Sequence, residues 1–477
     1  MACVAGDSLK QGDSSTTGFR WWWMGLVVVG LAIVLLARDP MVLLYPALRV
    51  EDGRDVFAYF YSHGRPEEIF RFKSGYIPLF SNIIGYGLVN LPTKWIPYGF
   101  VIIPFIFSLL TYSLFFAPAY RYYVKSDLLR ATACIFLPLP PSFHYDIHFG
   151  VDYIIWNAFL LLTLLLMLPA PRGAMKIPWL LLVLLLIWAN PLTIVFTPIF
   201  IYRLLTERRL RWIYGLCLVG VAAYQLFGVQ NSQLLTSLGL AGIVQRVWNS
   251  AILSLVLLVK QAYKAFLGPK LYIISPDFAF LVFFFFSALI LALYLRPSIR
   301  SRRIFALYAF YVSYSSIFLS LFSRGAEDVA RIEIHMRYMF VPSMLTYLLF
   351  FSVCEAWILS PRMLPIATGF VGVNGRSASE KNRLRLLCSI ILVMYFLMNL
   401  AMGYYRIGRA DSDANGWYSS NLQNGLIVKQ FFSKLAAAEQ SLCLARNPTD
   451  TMANRAIEAK KGNEDWSFYV LPKCRKT

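Results

Sequence analysis

The feature that most constrains this chain is a series of long apolar runs that are almost free of charge. The segment at 277–295, DFAFLVFFFFSALILALYL, has no polar face, so it cannot form an amphipathic helix on a soluble protein. Charged residues make up 15% of the chain, whereas soluble proteins carry roughly 25%. These charges lie in short clusters between the apolar runs. The sequence therefore predicts an all-α polytopic membrane protein.

We predict about eleven transmembrane helices from the apolar segments. These segments are 21–37, 97–118, 126–141, 153–169, 177–190, 191–205, 212–229, 277–295, 304–323, 339–359 and 386–404. Two further segments, 76–92 and 248–267, are predicted to be interfacial helices in outer loops. The first is interrupted by Pro, Gly and Asn, and the second carries Lys260 and Lys264 at helical spacing.

The loops between these helices alternate in charge. Loops rich in Arg and Lys are cytoplasmic under the positive-inside rule, and this composition is found at 119–130, 170–176, 203–211, 296–303 and 360–385. Residues 1–20 are then cytoplasmic, 21–404 form the transmembrane domain, and the first outer loop (38–96) and the tail (405–477) are periplasmic. The helix anchors explain the net charge of +20. We exclude a nucleic-acid partner, which would need a basic face on a soluble domain.

The first outer loop contains Glu51-Asp52-Gly53, followed by Arg54 and Asp55. Adjacent carboxylates near a membrane surface can differ in pKa, because burial and a like charge raise the pKa of one of them. A carboxylate in this position can act as a general base and accept the proton of an attacking sugar hydroxyl. The alternative is a solvated turn, in which Asp-Gly is common.

A second polar cluster contains His144, Asp146, His148 and Asp152 between two predicted spans. The His-x-Asp-x-His alternation predicts an extended outer loop and offers ligands for a divalent metal or contacts for an acceptor. Regular helix is excluded by three prolines, which are Pro138, Pro140 and Pro141. The alternative is a polar loop whose histidines bond to backbone.

A third cluster, RGAEDVARIEIHMRYMFVP, places His335, Arg337 and Tyr338 at the mouth of a predicted span. An arginine there can hold a phosphate through two parallel hydrogen bonds. The alternative is an ion pair between Arg337 and Glu333 one turn earlier.

The tail contains a predicted helix at 425–442 and two cysteines, Cys443 and Cys474. These cysteines are a candidate disulfide if the tail lies in an oxidising compartment. Two unpaired thiols are the alternative. The outer segments contain no Asn-x-Ser/Thr glycosylation site with x other than Pro, which fits a bacterial inner membrane.

Three motifs and the layout of the loops resemble the glycosyltransferase C superfamily, whose polytopic enzymes use polyprenyl-phosphate sugars. The motifs are PALRVEDGRDVFAYF, PLPPSFHYDIHFGVDYIIWN and HMRYMFVPSMLTYLL. The resemblance implies that Asp52, with Glu51 beside it, is the catalytic base and that 76–92 is an interfacial helix. It also implies that Arg337 and Tyr338, with His335 nearby, bind the phosphate of the donor.

The acidic first loop and soluble outer tail are similar to bacterial serotype-converting glucosyltransferases, which add glucose to O-antigen units of lipopolysaccharide from undecaprenyl-phosphate-glucose. This implies an inverting hexosyltransferase that moves a sugar from a polyprenyl-phosphate donor to a glycan or lipid acceptor on the periplasmic face. A divalent metal is not excluded. Two alternatives stay open, an O-antigen polymerase or ligase and a non-enzymatic transporter or flippase for lipid-linked sugars.

Overall fold

The described part of the chain is a bundle of helices, which agrees with the predicted helical class. The computed structural model describes residues 21–38, 42–44, 46, 52–73, 75–138, 146–171, 173–229, 240–274, 300–324, 336–359, 428–437, 457–460 and 467–470. The α-helices are α1 (Trp21–Arg38), α2 (Tyr59–His63), α3 (Leu79–Val89), α4 (Ile96–Ser113), α5 (Asp127–Phe136), α6 (Asp146–Phe149), α7 (Ile154–Met167), α8 (Lys176–Ile187), α9 (Thr197–Thr206), α10 (Arg211–Ala223), α11 (Leu240–Ile274), α12 (Arg300–Arg324), α13 (Phe340–Leu359) and α14 (428–437).

Shorter elements connect these helices. The π-helices are Asp52–Ala58 and Tyr224–Gly228. The 3-10 helices are Pro66–Phe70, Thr93–Trp95, Leu114–Phe116, Pro118–Tyr122, Gly173–Met175, Pro191–Phe196, Arg208–Leu210 and Met336–Met339. In the tail, β1 (Ile457–Lys460) pairs with β2 (Ser467–Val470) in an antiparallel sheet, which the all-α prediction did not include.

Among the residues that the structure describes, four helical stretches are long and apolar enough to cross a membrane. They are Thr93–Phe116, Arg208–Gly228, Ala241–Leu258 and Ile304–Ser323. Shorter apolar helices accompany them at Trp22–Ala37, Leu79–Val89, Ile154–Met167, Gly173–Ile187, Pro191–Thr206 and Phe340–Leu349. The predicted count of about eleven spans is not confirmed, and two of the predicted spans, 277–295 and 386–404, lie outside the described residues.

The bundle has two chemically different ends. We call one the loop end, which contains the segment 52–73 and Asp152, and the other the arginine end, which contains Arg121 and Arg203. At the arginine end, the Tyr123 hydroxyl donates to the Met167 carbonyl over 2.7 Å. The Arg203 guanidinium donates to the neighbouring Leu166 carbonyl, also over 2.7 Å.

Helices α4 and α7 run in the same direction. Asn157 donates to Ser108 Oγ over 3.0 Å, and further along both segments Tyr120 donates to the Leu164 carbonyl over 2.8 Å. Because α4 and α7 both run from the loop end to the arginine end, the chain between them must cross back. The predicted span 126–141 therefore corresponds to a returning crossing.

Helix α5 is the described part of that returning segment. It has ten residues, which gives a length of about 15 Å, roughly half of the ~30 Å hydrocarbon core of a bilayer. The helix ends at Phe136, two residues before Pro138, as expected because proline cannot continue a regular helix.

Buried polar side chains satisfy the irregular backbone before α5. Arg130 is fully buried and donates to the Val124 carbonyl over 2.7 Å and to the Phe116 carbonyl over 3.4 Å. Glu355, buried in α13, accepts a hydrogen bond from the Ser126 amide. Non-helical backbone at membrane depth is tolerated only where protein groups bond to it.

Helix α11 contains the segment 248–267, which was predicted to be an interfacial helix. It begins at Leu240, eight residues before that segment, and Ala241–Leu258 is long and apolar enough to cross a membrane. The helix packs antiparallel to α12, because Arg246 donates to the Phe322 carbonyl and Tyr314 donates to the Ala251 carbonyl. The interfacial position of 248–267 stays a prediction.

Helix α3 stays at the loop end, as predicted for 76–92. The Leu79 amide donates to the Trp188 carbonyl at one end of α3, and at the other end Leu88 packs on Gly99 in the first turns of α4. With 11 residues, α3 is also too short to cross a bilayer unaided.

The tail packs against the first loop. The Phe57 ring, in the π-helix Asp52–Ala58, contacts Phe431 and Phe432 of α14 at centroid distances of 6.2 Å and 4.9 Å. Val428 and Leu435, on the same face of α14, are fully buried in this cluster. Strand β2 also contacts the π-helix. The first loop and the tail therefore lie on the same side of the bundle, as the predicted topology requires.

We expect cysteine labelling to detect this shared side. Glu67 and Gln430 are exposed at the loop end, and Arg209 is exposed at the arginine end. In a cysteine-free background, Glu67→Cys and Gln430→Cys should react with an impermeant maleimide from the same side of the membrane, and Arg209→Cys only from the other. Labelling of Glu67→Cys and Gln430→Cys from opposite sides would contradict the packing of α14.

Candidate functional site

The centre of the candidate site is Asp52, the first residue of the π-helix Asp52–Ala58. Its side chain is 1% exposed. Asp52 Oδ1 accepts a hydrogen bond from the Asp152 backbone amide over 2.7 Å. A buried carboxylate held in this way is not part of a solvated turn. The alternative interpretation of Glu51-Asp52-Gly53 as a solvated turn is therefore wrong for Asp52. Helices of the π type are rare and are frequently found at functional sites.

Lys73 links the first loop to the segment before α7. Its Nζ lies 2.5 Å from Asp152 Oδ1 and 3.3 Å from Asp55 Oδ2. The three side chains are 14%, 16% and 19% exposed respectively. Because water reaches this group only partly, the ion pairs are screened less than they would be on the surface. Asp52, Asp55, Lys73 and Asp152 form what we call the carboxylate–lysine cluster.

Arg71 lies beside this cluster. Its Nη1 donates to the Asp55 carbonyl over 2.8 Å, and its guanidinium lies 3.5 Å from the centroid of the Tyr59 ring. Burial lowers the pKa of Arg71, an effect opposed by Tyr59 and Asp55. Burial also raises the pKa of Tyr59, which donates a short hydrogen bond to Glu68. Arg71 is thus held against an aromatic face, where it braces the chain rather than extending into solvent.

Helix α3 holds the backbone on both sides of the cluster. The side-chain amide of Asn82 donates to the carbonyls of Ile69 and Arg71, each over 3.0 Å. Ser81 donates to the Val151 carbonyl over 3.0 Å. One turn of α3 therefore fixes both the segment that carries Lys73 and the segment that carries Asp152.

The structure brings together two parts of the chain that the sequence analysis kept apart. Asp152 was a candidate metal or acceptor ligand, and it lies against Asp52 instead. Lys73 and Arg71 were not predicted as site residues. Neither has a sequence signal of its own, because Arg71 and Lys73 are two of several basic residues in a loop that mixes acids and bases.

The predicted outer position of His148 stays a prediction. Its ring is buried inside the bundle, where Nδ1 lies 3.0 Å from the Tyr112 hydroxyl. The residue belongs to α6, a helical turn, so the extended backbone predicted from His-x-Asp-x-His is wrong at Asp146–Phe149. The turn packs on α4, where Phe149 stacks on Phe105. Of the other histidines, His63 is exposed and stacks on Tyr59.

Of the other predicted site residues, Tyr338 has a described side chain. It is buried in the 3-10 helix Met336–Met339 and packs edge-on against Trp156, with 5.2 Å between the ring centroids. The side chains of Asp146 and Arg337 lie outside the described residues, although their backbones are helical. Also outside them are Glu51, His144, His335, Cys443 and Cys474.

A metal ligand set does not assemble among the described residues. No group of three His, Cys, Asp or Glu side chains comes close enough there to hold an ion. Asp152 pairs with Lys73, and His148 pairs with Tyr112, so these two members of the predicted cluster have different partners. The Lys73 ammonium pairs with Asp55 and Asp152, and the Arg71 guanidinium also interacts electrostatically with both carboxylates.

Comparison with known proteins does not relate this chain to a family. No protein-family model, characterised protein or solved structure matches the chain. The site is therefore interpreted from its own residues.

The close approach of α3 to the π-helix gives a stability prediction. A Cβ on Gly85 would collide with Val56 and Phe60, and valine is too stiff at χ1 to move aside. Gly85→Ala should therefore destabilise the protein by about 1–3 kcal/mol. Gly87, on the same helix, has no atom near its Cβ position, so Gly87→Ala is the matched control and should be neutral or slightly stabilising. Thermal unfolding in detergent would measure both, and equal stability of the two variants would argue against the packing.

Proposed function

We propose that the chain is a membrane glycosyltransferase that takes a hexose, such as glucose, from a polyprenyl-phosphate donor. The acceptor is a cell-surface glycan or lipid. The observation that carries this proposal is the buried Asp52, held at the loop end by the Asp152 amide within the carboxylate–lysine cluster. The motif around Asp52 also resembles the acidic first loop of the glycosyltransferase C superfamily. Asp52 lies at the loop end, which is the end of the bundle where the proposal places the headgroup of the donor.

The proposed reaction needs one base and one stabilised leaving group. The Asp52 carboxylate accepts the proton of the acceptor hydroxyl, and the hydroxyl oxygen attacks the anomeric carbon. The bond from that carbon to the phosphate oxygen breaks, and polyprenyl phosphate leaves with the bonding electrons. A single displacement of this kind inverts the anomeric carbon. Arg337 and Tyr338, with His335, are proposed to stabilise the departing phosphate.

The Asp152 amide has a clear role in this scheme. A hydrogen bond to the charged form of a carboxylate favours that form, and a base must be charged to accept a proton. The amide also fixes one carboxylate oxygen in space. Positioning of reacting groups is worth several orders of magnitude in rate.

The proposed location is a bacterial inner membrane with the loop end in the periplasm. The arginine end carries Arg121, Arg203, Arg208, Arg209 and Arg211, and the positive-inside rule assigns such an end to the cytoplasm. Lipid-linked donors are the sugar donors suited to the opposite face, because nucleotide-sugars are cytoplasmic. A divalent metal is not needed for the scheme, and His144 and Asp146 are the residues left to test for one.

The base is tested by Asp52→Asn, which keeps the size of the side chain and removes the proton acceptor. Purified protein in nanodiscs would be given radiolabelled undecaprenyl-phosphate-glucose and an O-antigen lipid acceptor. Transfer should fall by about 10²–10⁴-fold, while Glu67→Gln, an exposed carboxylate of the same loop, should retain activity. Full transfer by Asp52→Asn would remove the proposed base. Donor translocation without transfer by the unmodified protein would indicate a flippase instead.

The phosphate role of Arg337 gives a separate prediction. Arg337→Lys keeps the charge but loses the paired hydrogen bonds of the guanidinium. Its KM for the donor should rise by about 10-fold or more, with the KM for the acceptor little changed. An equal rise in both Michaelis constants would argue for a structural ion pair, as with Glu333.

A further inference from the structure

We propose that Lys73 is a positioning residue, which holds the Asp152 amide against Asp52 by pairing with the Asp152 carboxylate. This inference rests on the proposed function, since it concerns how the base is held. Lys73 itself does not contact the reacting atoms in this proposal. The sequence offered no reason to single it out, because Lys73 lies outside all three resembling motifs.

The contacts around Lys73 form a closed ring. Asp152 takes part twice, since its amide donates to Asp52 over 2.7 Å and its carboxylate accepts the Lys73 ammonium over 2.5 Å. Lys73 also reaches Asp55 over 3.3 Å, and Asp55 lies three residues after Asp52 on the same π-helix. The ring therefore fixes both ends of the Asp52–Asp152 hydrogen bond.

Lys73 is itself held in place by the backbone. It forms an isolated β-bridge with Tyr76, and Tyr76 bridges in turn to Val229. The preceding residues are fixed by the two hydrogen bonds from Asn82. A lysine on a restrained backbone loses less backbone freedom on pairing than one on a free loop, so its ammonium can define the position of Asp152.

Removal of the lysine charge would also weaken the electrostatic balance of the cluster, because Lys73 pairs directly with both Asp55 and Asp152. Arg71 also interacts with both carboxylates, but the repulsion between the two like charges would be less well compensated. The segment before α7 should move away from the π-helix, and the Asp152 amide would move with it. A displacement of about 1 Å can cost a reaction on the order of 100-fold in rate.

The test compares Lys73→Met with Lys73→Arg, and uses Lys94→Met as the matched control. Lys94 is an exposed lysine near the same end, 5.8 Å from the Trp95 ring centroid. We expect Lys73→Met to lower kcat by about 10- to 100-fold with an unchanged KM for the donor. Lys73→Arg should recover most of the rate, and Lys94→Met should behave like the unmodified protein. Lys73→Met and Asp152→Asn each remove the ion pair between these two residues. The double variant should therefore have a kcat no lower than that of the slower single variant.

A second measurement does not depend on activity. Hydrogen–deuterium exchange of the Asp152 amide should be about 10-fold faster in Lys73→Met than in Lys94→Met. Unchanged exchange together with unchanged kcat would overturn the inference, and so would a higher KM for the donor with intact kcat, which would make Lys73 a donor-binding group. These failures differ from failure of the proposed function, in which Asp52→Asn stays active whatever Lys73 does.

Discussion

The loop end depends on contacts that join two segments one hundred residues apart. The Asp152 amide bonds to Asp52, and the Asp152 carboxylate bonds to Lys73. Each partner lies where the chain is already restrained, Asp52 on a π-helix and Lys73 beside a β-bridge. Removal of one member of a partly buried charge pair leaves the other charge uncompensated. The cluster is therefore expected to act as a unit, in which the geometry of the proposed base and the stability of the first loop are coupled.

The arginine end depends on buried polar groups that bond to backbone outside the α-helices. The chain between α4 and α5 contains two 3-10 helices, Leu114–Phe116 and Pro118–Tyr122, so backbone groups there lack α-helical partners. Arg130 donates to two carbonyls there, and Glu355 accepts from the Ser126 amide. Charges buried at membrane depth are often signs of a transport path. Here, hydrogen bonding to the backbone explains Arg130 without such a path.

Part of this end of the bundle could be predicted from local sequence and part could not. The prolines predicted that regular helix does not continue past Pro138, and α5 ends at Phe136, whereas the predicted span 126–141 extended five residues further. The contact between His148 and Tyr112 could not be predicted, because it depends on how α6 packs against α4. Likewise, the sequence analysis did not find the start of α11 at Leu240, eight residues before the segment 248–267.

The sequence by itself determined that this is a helical membrane protein, because a long apolar run with no polar face is compatible with lipid and not with water. It also determined that Asp52 and the tail belong to one side of the bundle, since that follows from alternating loop charge. Tertiary structure alone decided the partners of Asp52. Almost any residue could supply the backbone amide that bonds to Asp52, and Lys73, twenty-one residues after Asp52, belongs to no periodic pattern. These contacts depend on how α3, α4 and α7 pack together, which a local sequence pattern does not reveal.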